Sequence, residues 1–320
     1  NLIDITCFKE KREMGTGGAL YNLTKLNVKD FILLNGDSIF NIDLNTLVNI
    51  TKKKNIGSMA LTSNINQKSA KLRNLTIKKN LIKLTHKSKY MNGGVYYFKR
   101  KFFKYIKNNS RSLEENILPN LIKKSAMSGK FFNNFFIDIG SKKFLKKGSN
   151  LLKKEFTKPS VFLDRDGVIN QDLGHVYKYK DFKFRPGVLR GLKYLSKKNY
   201  YIFIVTNQAG IARGKYKELD FFKLHNIIKE KLLKKNIYIQ DIQYSPYHPN
   251  AKIKKYKKIS KLRKPGNQMI ENIKSNWDIN MNKSFMLGDK NSDKKAAQKS
   301  KLKFYYAKGN FLLQIKKIIN

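Results

Sequence analysis

The sequence predicts an α/β chain with two domains in series, each an open sheet carrying its ligand edge at the carboxyl ends of its strands. Three observations predict this. At 320 residues the chain can hold two domains of ordinary size, each burying its own core. Short continuous apolar runs recur along it, as strands buried on both faces require. Several of these runs stop at a carboxylate, a hydroxyl or an amide, and that edge is where open α/β sheets place their ligands.

In the first half, Glu13 to Leu20 reads Glu-Met-Gly-Thr-Gly-Gly-Ala-Leu. Gly15, Gly17 and Gly18 form a glycine-rich turn ahead of a helical stretch, and backbone can approach a ligand closely there, although such turns are common. Phe31-Ile-Leu-Leu-Asn35-Gly36-Asp37 is an apolar strand ending in a carboxylate. Met91-Asn92-Gly93-Gly94-Val-Tyr-Tyr-Phe98 and Phe135-Phe-Ile-Asp138-Ile-Gly140 follow. From Gly140 to Lys158 the Lys, Ser and Asn content, with Pro159 after it, interrupts the apolar periodicity. The boundary therefore lies between a domain of residues 1–150 and one of residues 158–320, with room for the first domain's last helix.

The second half opens with Val161-Phe-Leu-Asp164-Arg-Asp166-Gly-Val-Ile-Asn170. Side chains alternate faces along a strand, so Asp164 and Asp166 are expected to point the same way at its carboxyl end. Two such carboxylates can share a hard cation such as Mg²⁺ and leave one oxygen to attack a phosphorus centre. Taken alone, the motif serves equally as a strand running into a polar turn. Tyr201-Ile-Phe-Ile-Val205-Thr206-Asn207-Gln208 adds a strand ending in a hydroxyl and two amides, which can hydrogen-bond phosphate oxygens without adding charge. Arg263-Lys264-Pro265-Gly266 precedes an amphipathic stretch at Met269, Ile270 and Ile273. Proline suits a first helical turn, which places Lys264 just before a helix N-terminus, where cation and free N–H groups can hold one anion. Ser284-Phe-Met-Leu287-Gly288-Asp289, with Asp293 a turn later, is a third strand ending in a carboxylate. Each segment alone has a bland explanation as a cap, a solvated helix start or a turn. Four in this order favour a phosphate site.

These four segments resemble the motifs of the haloacid dehalogenase-like phosphatases, a Rossmann-like parallel-sheet fold, from about Lys158 to the C-terminus. FLDRDGVIN, VTNQAGIARG, RKPG and GDKNSD are similar to those of the D,D-heptose 1,7-bisphosphate phosphatases, with histidinol-phosphate phosphatases as close relatives. The resemblance implies that Asp164 is the nucleophile and forms an aspartyl-phosphate. Asp166 then protonates the leaving alkoxide and activates the hydrolytic water. Asp164, Asp289 and the backbone carbonyl of Asp166 would hold Mg²⁺. Thr206 and Lys264 would contact phosphoryl oxygens. Asn207, Gln208, Arg263, Lys290 and the segment from Asp172 to His175 would touch the rest of the substrate, His175 serving equally as an exposed loop residue. Many members of this family carry a zinc loop, C-x-H followed by C-x-C, before the R-K-P motif. The matching positions here are Ser245, Tyr247, Ser260 and Leu262, with His248 nearby, and these do not make a tetrahedral zinc site. No zinc is expected, and the loop is expected to be held by packing or left mobile.

The first-half segments resemble sugar-phosphate nucleotidyltransferases of the guanylyl- and thymidylyltransferase type. By that resemblance the Gly15–Gly18 turn meets the nucleotide base and Asp37 and Asp138 bind metal. Asn92 to Gly94 would contact the sugar phosphate, with Lys87, preceded by His86, a weaker match for the phosphate-binding lysine. The family's opening strand and GGxGTRL-like triphosphate loop have no counterpart before Glu13. An incomplete sheet is therefore expected, from a chain that begins at Asn1 as a fragment and lacks nucleotidyl transfer. Joining a phosphatase to such a domain fits consecutive steps towards a nucleotide-activated heptose for lipopolysaccharide or surface-layer glycans, which argues against histidinol phosphate.

Lys plus Arg number 68 against 22 acidic residues, a formal net charge of +46. Such a balance suggests nucleic acid or an anionic surface, and a 3′-phosphatase acting on nucleic-acid ends is the rival function. The basic residues are spread over both halves, however, and Lys, Asn and Ile are over-used together, as in AT-rich genomes. A solvated, composition-driven surface is favoured, nucleic acid is not the expected partner, and a small sugar phosphate is. No apolar run approaches a membrane span, and Cys7 is the one cysteine, so an intrachain disulfide is excluded and a cytoplasmic site is expected.

Overall fold

In the computed structural model the apolar runs become the strands of three sheets, across residues 5–10, 13–24, 26, 28–63, 72–88, 90–107, 112–140 and 142–320, the residues the structure describes. Asn1, where the fragment expectation starts, lies outside the described residues. The chain divides into two units, Asn1–Leu151 and Leu152–Asn320.

The first unit contains, in chain order, α1 (Gly15–Leu23), β1 (Phe31–Leu34), β2 (Ser38–Phe40), α2 (Leu44–Ile50), β3 (Gly57–Thr62), β4 (Leu75–Lys78) and β5 (Leu81–Leu84). There follow β6 (Met91–Phe98), α3 (Leu118–Lys123), β7 (Met127–Phe131), β8 (Phe136–Asp138) and α4 (Lys142–Phe156), within which the division falls. Six strands pair in the order β1-β6-β3-β7-β5-β4, and β2 pairs with β8. This sheet is mixed, where a Rossmann-like sheet would be parallel: β3 and β7 run parallel, but β6 is antiparallel to both β1 and β3. Parallel neighbours need a long crossover, and here β4 reaches β5 through Lys79-Asn80 alone, which forces an antiparallel pair. Both turn residues have positive φ, 51° and 63°, as a two-residue type I′ hairpin demands. The buried β3 and the rings of Tyr96, Phe98 and Phe102 form the core, with the last two stacked at 3.8 Å between centroids.

The second unit continues with β9 (Ser160–Leu163), α5 (Val188–Lys197), β10 (Tyr201–Asn207), α6 (Ala209–Ala212), α7 (Glu218–Leu233) and β11 (Asp241–Ser245). It closes with α8 (Gln268–Asn276), β12 (Phe285–Gly288), α9 (Asn291–Lys299), β13 (Lys303–Tyr306) and α10 (Phe311–Ile319). The five strands are all parallel, in the order β11-β10-β9-β12-β13. Alternate residues of one strand feed opposite cores. Val161, Leu163, Ile202 and Ile204 pack against α5, α7 and α10, while Phe162, Phe203 and Val205 pack against α8 and α9. Burial on both faces is why these strands read as unbroken apolar runs. From β9 the chain moves outward through β10 and β11, then returns to the other side of β9 with β12. The carboxyl end of β9 is thus the topological switch point, where a crevice opens. No described helix is long and apolar enough to cross a membrane.

Phe162 is fully buried and its ring lies 5.3 Å from that of Phe203. Phe162→Ala is expected to cost the second unit about 3–5 kcal/mol, read as a lower urea midpoint by circular dichroism.

Candidate active site

The strand β9 stops at Leu163, before either aspartate. A tight turn, not strand pleating, therefore brings Asp164 and Asp166 to one cavity of about 330 Å³. Asp164 is tied by its N–H to the Leu287 carbonyl of β12, and the turn closes where Gly167 N–H and Asn170 N–H donate to Asn170 and Arg165 carbonyls. Gly167 has φ +81°, and a Cβ there would lie 2.5 Å from Asp289 Oδ2. The turn can approach the β12 loop only because that residue is glycine.

Lys264 is buried, 3% exposed. Its Nζ lies 3.0 Å from Asp164 Oδ1 and 2.6 Å from Asp293 Oδ1, and it donates to the Val205 carbonyl at 2.9 Å. It does not sit at a helix start: the turn from Lys261 to Gly266 intervenes, and α8 begins at Gln268. That turn is so tight that a Cβ on Gly266 would lie 2.2 Å from the Lys261 carbonyl oxygen, so residues 263–266 are used by the turn rather than by a helix. Lys264 thus neutralises carboxylates instead of standing free beside helix N–H groups.

Carboxylate oxygens of Asp164, Asp289 and Asp293 lie within 4.8 Å of one another, the group among the described residues able to hold a metal ion. Burial pushes Asp164 up to about 6, and the neighbouring Asp293 and Asp166 add to this against the pull of Lys264. Asp289 is also raised, by burial first, with Lys290 opposing and Asp293 assisting. Burial lowers Lys264, but Asp164 and Asp293 outweigh it and hold the ammonium above its ordinary range. Two ammoniums, buried Lys264 and the more distant Lys290, against three carboxylates leave a surplus of negative charge, and Asp289 Oδ1 is buried without a hydrogen-bond partner. Oxygen donors with unbalanced negative charge fit a hard divalent cation such as Mg²⁺. The side chain of Asp166, by contrast, is outside this group. It faces Arg165, which sequence inspection passed over: the 1%-exposed guanidinium donates to Asp166 through Nε at 3.1 Å and Nη2 at 2.7 Å. Asn170 Nδ2 and Gln208 Nε2 donate to the same carboxylate at 2.9 and 3.0 Å.

The remaining expected residues divide. Thr206 ends up at 1% exposure behind the residues that line the cavity, with Oγ1 accepting from Gln208 at 2.8 Å. Gln208 and Asn207 line the cavity, yet their amides are committed to the protein. Gln208 bridges Asp166, Thr206 and the Tyr216 hydroxyl, and Asn207 clasps the Lys264 backbone at both N–H and C=O, each at 3.0 Å. Asp172 and Lys290 pair across the rim at 3.2 Å, and Lys290 lies 3.7 Å from Asp289. Burial would raise Asp172, but the Gly174 N–H and Lys290 hold it below its ordinary value. His175 has φ +54° and packs its ring on Gly210 at the cavity wall. Arg263 is half-buried at the mouth, its Nη1 donating to the Tyr247 carbonyl at 3.3 Å. Asp293, read from the sequence as the acidic residue a turn after Asp289, is the third residue of α9, where it accepts from Lys290 N–H at 2.9 Å as an N-terminal cap.

The loop after β11 is held by packing. Tyr256 is buried, Tyr177, Tyr244 and Tyr247 surround its cluster, and Lys258 sits 4.1 Å over the Tyr247 ring. Ser245 Oγ is buried and unpartnered, while Tyr247, Ser260 and Leu262 offer no sulfur or imidazole.

The first unit has its own cavity of about 660 Å³, lined by Thr16, Asp37, Asn92, Gly94, Asp138 and Gly140 among others. Asp37 and Asp138 flank Gly140, whose Cβ would lie 2.5 Å from Asp37 Oδ2 and 3.2 Å from Asp138 Oδ1. Gly15, Gly17 and Gly18 form the first turns of α1 and not a loop ahead of it, because the Thr16 hydroxyl accepts from Leu113 N–H and donates to buried Glu114, fixing that turn. Gly93 is a packing residue beneath Phe40, and Lys87 is exposed and outside the cavity lining.

Residues 162–316 match the family model described as polynucleotide kinase 3 phosphatase. The D-glycero-beta-D-manno-heptose-1,7-bisphosphate 7-phosphatase of Photorhabdus laumondii is 41% identical over 144 residues, 45% of this chain and 77% of its own length. The D-glycero-alpha-D-manno-heptose-1,7-bisphosphate 7-phosphatase of Campylobacter jejuni is 41% identical over 137 residues, 43% of this chain and 74% of its own. The crystal structure of D,D-heptose 1,7-bisphosphate phosphatase from B. bronchiseptica, complexed with magnesium and phosphate, is similar over 50% of this chain and 86% of that one, at 23% identity and TM-score 0.42.

Asp164 keeps its proton to about pH 6 in the folded, metal-free chain against 3.8 for an ordinary aspartate, so folding stability falls as pH rises through that window. Asp164→Asn is expected to raise metal-free stability at neutral pH by on the order of 2 kcal/mol, a gain that vanishes below about pH 4. Added Mg²⁺ should raise the melting temperature of the wild type more than that of the variant, both read by differential scanning calorimetry.

Proposed function

The chain belongs to the heptose-1,7-bisphosphate 7-phosphatase family, two members of which it matches at 41% identity over about three-quarters of their length, and from that premise we propose how its C-terminal site works. It is a phosphoric monoester hydrolase acting on D-glycero-D-manno-heptose 1,7-bisphosphate, from which it removes the C7 phosphate. The observation that carries the site assignment is the convergence of Asp164, Asp166, Lys264 and Asp293 on one cavity.

Asp164 Oδ1 already accepts from Arg165 N–H at 2.7 Å and faces Lys264, which leaves Oδ2 as the attacking oxygen. It adds to the C7 phosphorus, the bond from phosphorus to O7 breaks, and an aspartyl-phosphate forms. Asp166 gives its proton to the leaving O7. Water then attacks the same phosphorus, Asp166 takes the water's proton, and inorganic phosphate leaves with Asp164 restored. Arg165, Asn170 and Gln208 hold Asp166 in place for both transfers. The Thr206 hydroxyl and Lys264 ammonium bind phosphoryl oxygens, and Arg263 and Lys290 at the mouth meet the rest of the sugar phosphate. Asp164, Asp289, Asp293 and the Asp166 carbonyl would hold Mg²⁺, which when bound neutralises charge on the transferring group.

For the first unit we infer descent from a sugar-phosphate nucleotidyltransferase. What supports this is the pair Asp37 and Asp138 about Gly140, with Asn92 and Gly94 in the same cavity. A heptose 1-phosphate released by one site is the class of substrate the other would activate. The spread of basic residues over both halves supports a solvated surface, and the lone exposed Cys7 supports a reducing, cytoplasmic setting.

Phosphate release should be measured with Mg²⁺ on α- and β-heptose 1,7-bisphosphate, histidinol phosphate and a 3′-phosphorylated oligonucleotide. Turnover is expected on a heptose bisphosphate, is abolished by EDTA and by Asp164→Asn, and drops roughly 10²–10⁴-fold in Asp166→Asn. Preference for the oligonucleotide would refute the sugar assignment.

A further inference from the structure

We propose that Glu218, outside the phosphate cavity, is a positioning residue for the proposed phosphatase reaction: it pins the lysine-rich loop of residues 246–262 so that Arg263 faces the cavity. The inference rests on the functional reading above for its substrate and on geometry for its mechanism. Glu218 opens α7 and bridges a strand to the loop. Its Oε1 accepts from the Tyr244 hydroxyl of β11 at 2.8 Å, and its Oε2 accepts from the Tyr256 hydroxyl of the loop, also at 2.8 Å. Burial, and then Glu218 itself, push both phenols up, so both remain donors at neutral pH.

From Tyr256 the contacts lead to the substrate side in two steps. The Tyr256 carbonyl accepts from His248 N–H at 3.1 Å, which fixes the chain at Tyr247–His248. The Tyr247 carbonyl in turn accepts from Arg263 Nη1 at 3.3 Å. The loop needs an anchor. Lys252, Lys254, Lys255, Lys257, Lys258 and Lys261 are all exposed within ten residues and repel one another. The carboxylate they meet is Glu218, 3.7 Å from Lys255 Nζ. Backbone bonds from Lys252 and Ile253 N–H to the Ala212 carbonyl secure the loop's first half. Its second half is held through Tyr256. Asn207 fixes the backbone on the Lys264 side, so the part left for Glu218 to hold is the stretch from Tyr247 to Tyr256, whose Tyr247 carbonyl orients the Arg263 guanidinium.

The test compares wild type, Glu218→Ala, Glu218→Gln and Tyr256→Phe by two readouts. The first is kinetic: Glu218→Ala should raise KM for the heptose bisphosphate about tenfold while kcat/KM for phenyl phosphate, which lacks the sugar and second phosphate that Arg263 would meet, stays within about twofold. Glu218→Gln should recover most of the loss, because an amide can accept from one phenol and donate to the other. The second is limited trypsin digestion: the docked loop resists cleavage in the wild type, and Glu218→Ala and Tyr256→Phe are cut first between residues 252 and 261. Unchanged KM, a parallel loss on both substrates, or equal trypsin rates in wild type and variants would each overturn the proposal. If Glu218→Ala fails to fold, Tyr256→Phe, which lacks only one hydroxyl, is read by the same criteria. If the wild type does not turn over the bisphosphate, the functional reading fails, while the trypsin comparison still decides the clamp.

Discussion

A single buried ammonium, that of Lys264, joins the turn after β9, the end of β10 and the first turn of α9 through Asp164, Val205 and Asp293. Each contact belongs to a different element, so the site assembles only when all of them are in place. Removing that ammonium typically costs about 3–5 kcal/mol, since the carboxylates around it are then left uncompensated away from water. The same arrangement leaves the carboxylates in excess. Asp164 and Asp289 both hold protons more readily than exposed aspartates, burial being the largest cause in each. A hard divalent cation is the kind of charge that would offset this surplus of buried carboxylate.

A second network lies behind the first and governs Asp166. Arg165 grips that carboxylate, Gln208 links it to Thr206, and the Tyr216 hydroxyl donates to Gln208 in turn. Polar side chains that a sequence inspection assigns to substrate contact are thus spent on fixing other side chains. Asn207 does the same for the Lys264 backbone. Phosphoryl transfer depends chiefly on positioning and preorganised charge, and under the proposed function buried amides used in this way would supply the positioning.

The loop after β11 solves a related problem with different means. Zinc-loop members of the family would tie it with sulfur and imidazole ligands. Here tyrosines pack against one another and against Glu218, and lysines lie over their rings.

What the order of residues determined by itself was the parallel sheet of the second unit and three polar positions at its carboxyl edge. Strands buried on both faces must be apolar throughout, and the polar residue that ends each run marks the crevice, so Asp164, Thr206 and Asp289 were legible directly. The antiparallel hairpin across Lys79-Asn80 and the mixed sheet around it, by contrast, were not read from the sequence. Tertiary structure alone decided which carboxylates lie together, because Lys264 draws Asp293 to Asp164 and Arg165 draws the Asp166 side chain away, contacts that no spacing records. It also decided that Lys264 stands apart from a helix start, and that Gly15, Gly17 and Gly18 belong to a helix. Those outcomes turn on charge balance, burial and packing between residues distant in the chain, which local pattern does not contain.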